Sequence, residues 1–239
     1  MRSGAGEEPA WRVGEARTIS GPVSIGSHGY HASRTWLDAL AYAPGPIACI
    51  VEVSCPAHEA LTQLVARTRV LVDCRDASSV VGVFACECMA RALRKAGVED
   101  WRPRAAIEAR RRWIEGEVDE TMLRAARVVG HEASKSTPVG SLLRAVTYVV
   151  DSENPAVAAR LAVRFALATA DLDELCWQKR RLASLLLNLF ATEERPSWAG
   201  QLTGEDETGT PGNRAAGQRS TVPYSRTGEE KGGNQAQTY

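Results

Sequence analysis

His28 and His31 lie three residues apart and flank Gly29 and Tyr30. They come nearest to a reactive pair in this chain. Residues an odd number apart on a strand face opposite sides, so a shared metal requires a turn to begin between them. A general-base role for His31 requires a nucleophile and an orienting carboxylate, and neither is evident. Asp38 is near, but its spacing from Thr35 is that of a capping box. His31 is therefore expected to be packed or hydrogen-bonded. Cys86 and Cys88 sit two apart in a helical stretch, where about 200° of rotation separates their thiols. No catalytic residue and no metal site is assigned on these grounds.

The wider charge pattern narrows the function classes. Lys plus Arg and Asp plus Glu number 29 each, so no global field favours nucleic acid or an anionic membrane. Arg110–Arg112 and Lys179–Arg181 are short basic clusters without interleaved aromatic platforms, and they read as solvated helix faces. Trp101 and Trp113, on either side of Pro103, read as packing anchors. The six cysteines, at 49, 55, 74, 86, 88 and 176, form no CxxC pair. They read as buried thiols in a reducing compartment. The first ten residues carry no apolar core of a signal peptide. Arg144, Arg160 and Arg164 interrupt the longest apolar stretches, so no membrane span is expected. A cytoplasmic protein follows as the expectation.

These side chains are positioned by the run from Gly29 to Val53. Thr35, or Ser33, can cap a short helix with Trp36, Leu37, Leu40 and Ala41 along one stripe. Pro44-Gly45-Pro46 ends that helix. Ile47, Cys49, Val51 and Val53 then alternate with Ala48, Ile50 and Glu52, as in a strand with one buried face. Upstream, Trp11–Val13 and Thr18–Ser20 are expected as short strands, and Val23–Ile25 as the start of the strand that delivers Gly29. Downstream, Val65–Val72 reads as one half-exposed strand. Residues 1–75 are thus expected to form a small, mostly antiparallel sheet with one short helix, residues 1–10 being loose.

From Asp76 the period becomes helical. Val80, Val81, Phe84, Cys88 and Leu93 share a face that Gly97 ends. Pro103 suits the first turn of a helix that Gly116 ends. Asp119 caps another, closed by Gly130. Thr137-Pro138, Asn154-Pro155 and Asp171 open three more. The fold class is therefore α+β, with an α-helical array over 76–196. Residues 197–239 lack apolar periodicity and are expected to be a disordered tail.

Three resemblances add to this reading. Gly29-Tyr30-His31-Ala32-Ser33, then Asp38-Ala39-Leu40 and Tyr42-Ala43-Pro44-Gly45, resemble an uncharacterised phage and bacterial domain family over roughly residues 11–95. That pattern usually starts further upstream, which implies either a missing N-terminal strand or a misassigned start codon. Arg102-Pro103-Arg104, Ala106-Ile107-Glu108-Ala109-Arg110 and Trp113-Ile114-Glu115-Gly116-Glu117 are similar to a motif of helical proteins assigned as immunity proteins in bacterial toxin systems. This implies binding to a protein partner. More distantly, Tyr30 to Ser33, Ala39, Tyr42 and the strand Ile47–Val53 resemble the order found in ADP-ribosyltransferase folds. That likeness implies a pocket lined by Tyr30, His31 and Ser33, with Tyr30 stacked on the nicotinamide of NAD. It also implies a later catalytic Glu. Glu52 lies on the returning strand and Glu59 in a loop, so neither fills that role. The expected function is a non-catalytic binding or accessory protein, phage- or toxin-immunity-associated, with no cofactor. The alternative is an ADP-ribosyltransferase-like NAD-binding enzyme or an inactive relative.

Overall fold

The computed structural model describes residues 10–54, 58–135, 140–168 and 172–191. The expectations for residues 1–9, Cys55, Thr137-Pro138, Asp171 and the tail at 197–239 lie outside them. The strands are β1 (Ala16–Thr18), β2 (Tyr30–Ala32), β3 (Ile47–Ser54), β4 (His58–Glu59), β5 (Leu64–Ala66) and β6 (Thr68–Asp76). The helices are α1 (Trp36–Leu40), α2 (Ser78–Lys95), α3 (Trp101–Ile114), α4 (Glu120–Lys135), α5 (Gly140–Asp151), α6 (Pro155–Ala168) and α7 (Leu172–Ala191). The fold is α+β, as the change of period at residue 76 implies.

Among the described residues all strand pairings are antiparallel, and they fall in two three-stranded sheets, ordered β1-β6-β3 and β2-β5-β4. The expected single strand over Val65–Val72 is therefore two. Leu64–Ala66 pair with β2 and are fully buried, whereas β6 starts at Thr68 and pairs with β1 and β3. The chain changes sheets at Arg67, which an alternation pattern cannot reveal. Near the N-terminus the strand is Ala16–Thr18 rather than Trp11–Val13 or Thr18–Ser20. Gly14, at φ 83°, turns the chain between Trp11 and that strand. Ser24 makes only an isolated bridge to His28.

Local caps account for several helix ends among the described residues. Thr35 Oγ1 accepts from Asp38 N–H (3.2 Å), and its hydroxyl donates to Asp38 Oδ2 (2.6 Å). Asp119 Oδ1 accepts from Met122 N–H at 2.9 Å, which satisfies one orphan donor of α4. Gly97 and Gly116, at φ 63° and 76°, follow α2 and α3 in the left-handed conformation. Gly130 departs from expectation. It does not end α4, which continues to Lys135. A Cβ there would lie 2.8 Å from Ala106 Cβ, so the glycine lets α3 and α4 approach closely.

The main core joins Leu37 and Leu40 of α1 to Phe84, Met89, Leu143, Val146, Ala159 and Leu182 of the helices. Trp36 stacks on Phe190 of α7, with centroids 5.6 Å apart. The Pro44-Gly45-Pro46 turn is tied to α6. Asn154 Nδ2 donates to Pro44 O (3.2 Å), and Arg160 Nη1 donates to Ala43 O (2.7 Å). A second, smaller core of Trp11, Tyr30, Leu71 and Cys74 sits on one face of the β1-β6-β3 sheet. Neither tryptophan is a buried packing anchor: Trp113 is 37% exposed and carries Arg110 over its ring at 4.6 Å, and Trp101 is 67% exposed. It occupies the first turn of α3, where the Asp100 cap orients the chain and no neighbouring element covers the ring. Arg110 is buried and donates to Ser152 O at 2.9 Å, while Arg111 and Arg112 pair with Glu108, Glu115 and Glu117.

A candidate docking edge and its cavity

β3 carries the sequence IACIVEVS and is an edge strand of its sheet. None of its eight residues is buried, although most are apolar. Ala77 N–H donates to Pro46 O at 2.9 Å, and Ile47 stands opposite Asp76. That bond makes Ile47–Asp76 and Cys49–Cys74 non-hydrogen-bonded pairs of the ladder. A strand alternates the side to which its peptide groups point. The N–H and C=O of Ile47 and Cys49 thus turn away from β6. The register shifts between Ile50 and Val51, but Leu71, the partner of Val51, gives its N–H to Glu15 O and accepts from Gly14 N–H, so Val51, and with it Val53, also turns away from β6. Among the described residues these peptide groups make no backbone bond to another strand.

This edge borders a cavity of about 830 Å³. Consecutive residues from Ile47 to Val51 line it, as happens where a strand meets a cavity along its edge rather than through one face. Trp36 and Leu40 of α1, Val81 of α2, and Leu182 and Leu186 of α7 form an apolar wall. Tyr30, His31, Ser33, Arg34 and Arg69 form a polar end, and no Asp or Glu is among the described lining residues. The three residues that sequence placed in a pocket, Tyr30, His31 and Ser33, are thus brought to one cavity.

Their side chains are held by local bonds. Gly29 takes φ 129°, and a Cβ there would lie 2.3 Å from Val65 Cγ2, so only glycine fits before Tyr30. Tyr30 meets the edge of Trp11 at 5.3 Å and carries the Arg69 guanidinium over its ring at 4.9 Å. Trp11 carries the guanidinium groups of both Arg17 (4.3 Å) and Arg69 (4.4 Å) over its ring, a favourable cation–π arrangement on an indole. Arg69 Nη1 also donates to His31 O at 3.3 Å. His31 Nε2 accepts from Gly26 N–H at 2.9 Å, whereas His28 Nε2 lies 3.3 Å from Ser20 O. The two imidazoles therefore serve different bonds. Ser33 Oγ donates to Thr62 O at 2.8 Å.

The acidic groups lie elsewhere. Glu52 is exposed and does not line the cavity. Glu59 lies on β4, paired with Leu64, rather than in a loop, and it does not line the cavity. It receives Arg34 Nε and Nη2 at 2.5 and 2.9 Å, and these hydrogen bonds hold its carboxyl below the usual range. Among the described residues no group of three or more His, Cys, Asp or Glu side chains could hold a metal ion. No described helix is long and apolar enough to cross a membrane.

Trp11, Arg69 and the α7 leucines were not legible as parts of this site. Trp11 resembles any apolar residue of a short strand, and Arg69 reads as an interruption of an apolar run. No protein-family model matches the chain, no curated protein matches its sequence, and no solved structure matches its fold.

Proposed function

We propose that the protein is a non-catalytic binding protein that receives an extended segment of a protein partner along the free edge of β3. The observation that carries this reading is the long, apolar, half-buried edge strand whose outer edge borders a cavity. Such an edge is a template for an added strand, with main-chain bonds supplying affinity and side-chain pockets supplying specificity. The complementary segment has apolar residues at alternate positions, which meet the wall of Trp36, Leu40, Leu182 and Leu186.

Further features support the same reading. Arg111, Arg112 and Arg181 are paired with acidic neighbours, which weakens the case for a nucleic-acid surface. The similarity of Arg102–Glu117 to immunity-protein helices fits a partner-binding role, and with it a toxin-immunity or phage setting. The thiols fit a reducing cytoplasm. Against the NAD alternative stand the absence of a lining carboxylate and the Arg69 guanidinium on the ring of Tyr30.

Selection from a library of displayed extended peptides tests the proposal. Binders are expected to alternate apolar residues and to protect the amides of Cys49 and Val51 from hydrogen exchange. Val51→Pro removes an outward N–H without removing a bond to β6 and should abolish their binding. Binders indifferent to Val51→Pro, or no binders at all, would sink the reading. Titration with NAD, comparing wild type with Tyr30→Ala, tests the alternative. Saturable binding lost in the variant would revive it.

A further inference from the structure

Cys49 of β3 and Cys74 of β6 are direct register partners. They form a non-hydrogen-bonded pair, in which Cα atoms are ~4.5 Å apart and side chains are closest. Directly opposed side chains leave the sheet on the same face. Both cysteines indeed contact the small core of Trp11, Tyr30 and Leu71, and both line the cavity beside β3. A disulfide accepts Cα separations of about 4.4–6.8 Å, so the strands need not part or slide to close one. We propose that Cys49 and Cys74 are a modification site, a cross-strand dithiol that a peroxide closes to a disulfide on the cavity wall.

The reaction balances. Cys49 is half-buried and Cys74 only 3% exposed, so Cys49 meets the oxidant first. Its thiolate attacks one peroxide oxygen and the O–O bond breaks. The departing hydroxide takes the proton that Cys49 released and leaves as water, with a sulfenic acid on Cys49. The Cys74 sulfur then attacks that sulfur and the S–O bond breaks. The hydroxyl leaves with the Cys74 proton as a second water. The two sulfurs together lose two electrons, and the two peroxide oxygens gain them. Burial, and then Cys74, push the Cys49 thiol up to about 11. The thiolate fraction, and with it the rate, therefore rises about tenfold per pH unit below that value. The bridge does not depend on strand docking. Where docking occurs, the bridge pins the docking strand to its neighbour.

The test treats the full, natively folded chain with hydrogen peroxide, quenches with catalase, denatures, alkylates the remaining thiols and maps the peptides. The expected product links the peptides of Cys49 and Cys74, weighs two hydrogens less, and reverts in dithiothreitol. It forms about 100-fold faster at pH 9 than at pH 7. In Cys49→Ser, Cys74 should enter no disulfide. If that variant does not fold, mapping of the wild type decides alone. Exposed Cys176 oxidised while Cys49 and Cys74 stay unlinked would overturn the proposal. So would linkage of either residue to any other cysteine.

Discussion

Gly130 of α4 lies against Ala106 of α3, so closely that a Cβ on the glycine would stand 2.8 Å from the Ala106 Cβ. Both atoms would be stiff, with no flexible chain end to move aside. Gly130→Ala gains about 1 kcal/mol of helix propensity but meets an overpacking cost of about 1–3 kcal/mol. A net loss of about 1 kcal/mol is expected in urea denaturation. Ala106→Gly in the same chain should recover stability, a coupling that a double-mutant cycle isolates. An increase in Tm for Gly130→Ala alone would show that the helices are not in contact there.

Gly29 is constrained twice, by φ 129° and by Val65 Cγ2 at 2.3 Å from a built Cβ. Gly29→Ala should cost about 2–4 kcal/mol through backbone strain and overpacking. Tyr30 and Trp11 are in edge-on contact, so near-UV circular dichroism should change with it. A near-neutral substitution would mean that Val65 does not crowd this turn.

Glu174 is buried between Arg91 (2.9 Å) and Lys95 (3.1 Å), with Gln178 beside it. Burial pushes its carboxyl up, but the hydrogen bonds from Arg91 and Lys95 outweigh this and hold it below its ordinary value of 4.5. A depressed carboxylate contributes stability above its unfolded pKa and loses it as pH falls through the folded value. Wild type should therefore lose more stability than Glu174→Gln between pH 6 and pH 3. At pH 7 Glu174→Gln should cost about 2–3 kcal/mol, less than a fully buried pair because both cations reach solvent. Parallel pH profiles for the two proteins would contradict this.

Asn154 caps α6 and also holds the Pro44 turn. Its Oδ1 accepts from Ala156 N–H (3.1 Å) and Val157 N–H (3.3 Å), while Nδ2 donates to Pro44 O (3.2 Å). Asn154→Ala should cost about 1–2 kcal/mol and raise hydrogen exchange at Ala43 and Gly45. Asn154→Asp keeps the cap but loses the donor to Pro44. It should restore stability while leaving the turn exchange high. Unchanged exchange in both variants would mean that Arg160 alone holds the turn.

Features whose causes lie within a few residues can be read from the order of the amino acids. Thr35, Asp119 and Asn154 cap helices because an oxygen acceptor needs only the next turn's N–H groups. Gly97 and Gly116 stop helices because φ is positive there. The α+β division follows from the change of period at residue 76. Features that depend on distant neighbours emerge when the elements pack. Gly130 looked like a stop and is a contact, because Ala106 supplies the other half. Val65–Val72 looked like one strand and is two, because β2 and β4 claim its first part while β1 and β3 claim the rest. Cys49 and Cys74, 25 residues apart in number, became opposite partners through the β3–β6 register. Tyr30, His31 and Ser33 came to one cavity with Trp11, Arg69 and Leu182, none of which local spacing could have joined to them. Backbone caps act through short-range hydrogen bonds, whereas a cavity is the space left by packing elements far apart in the chain.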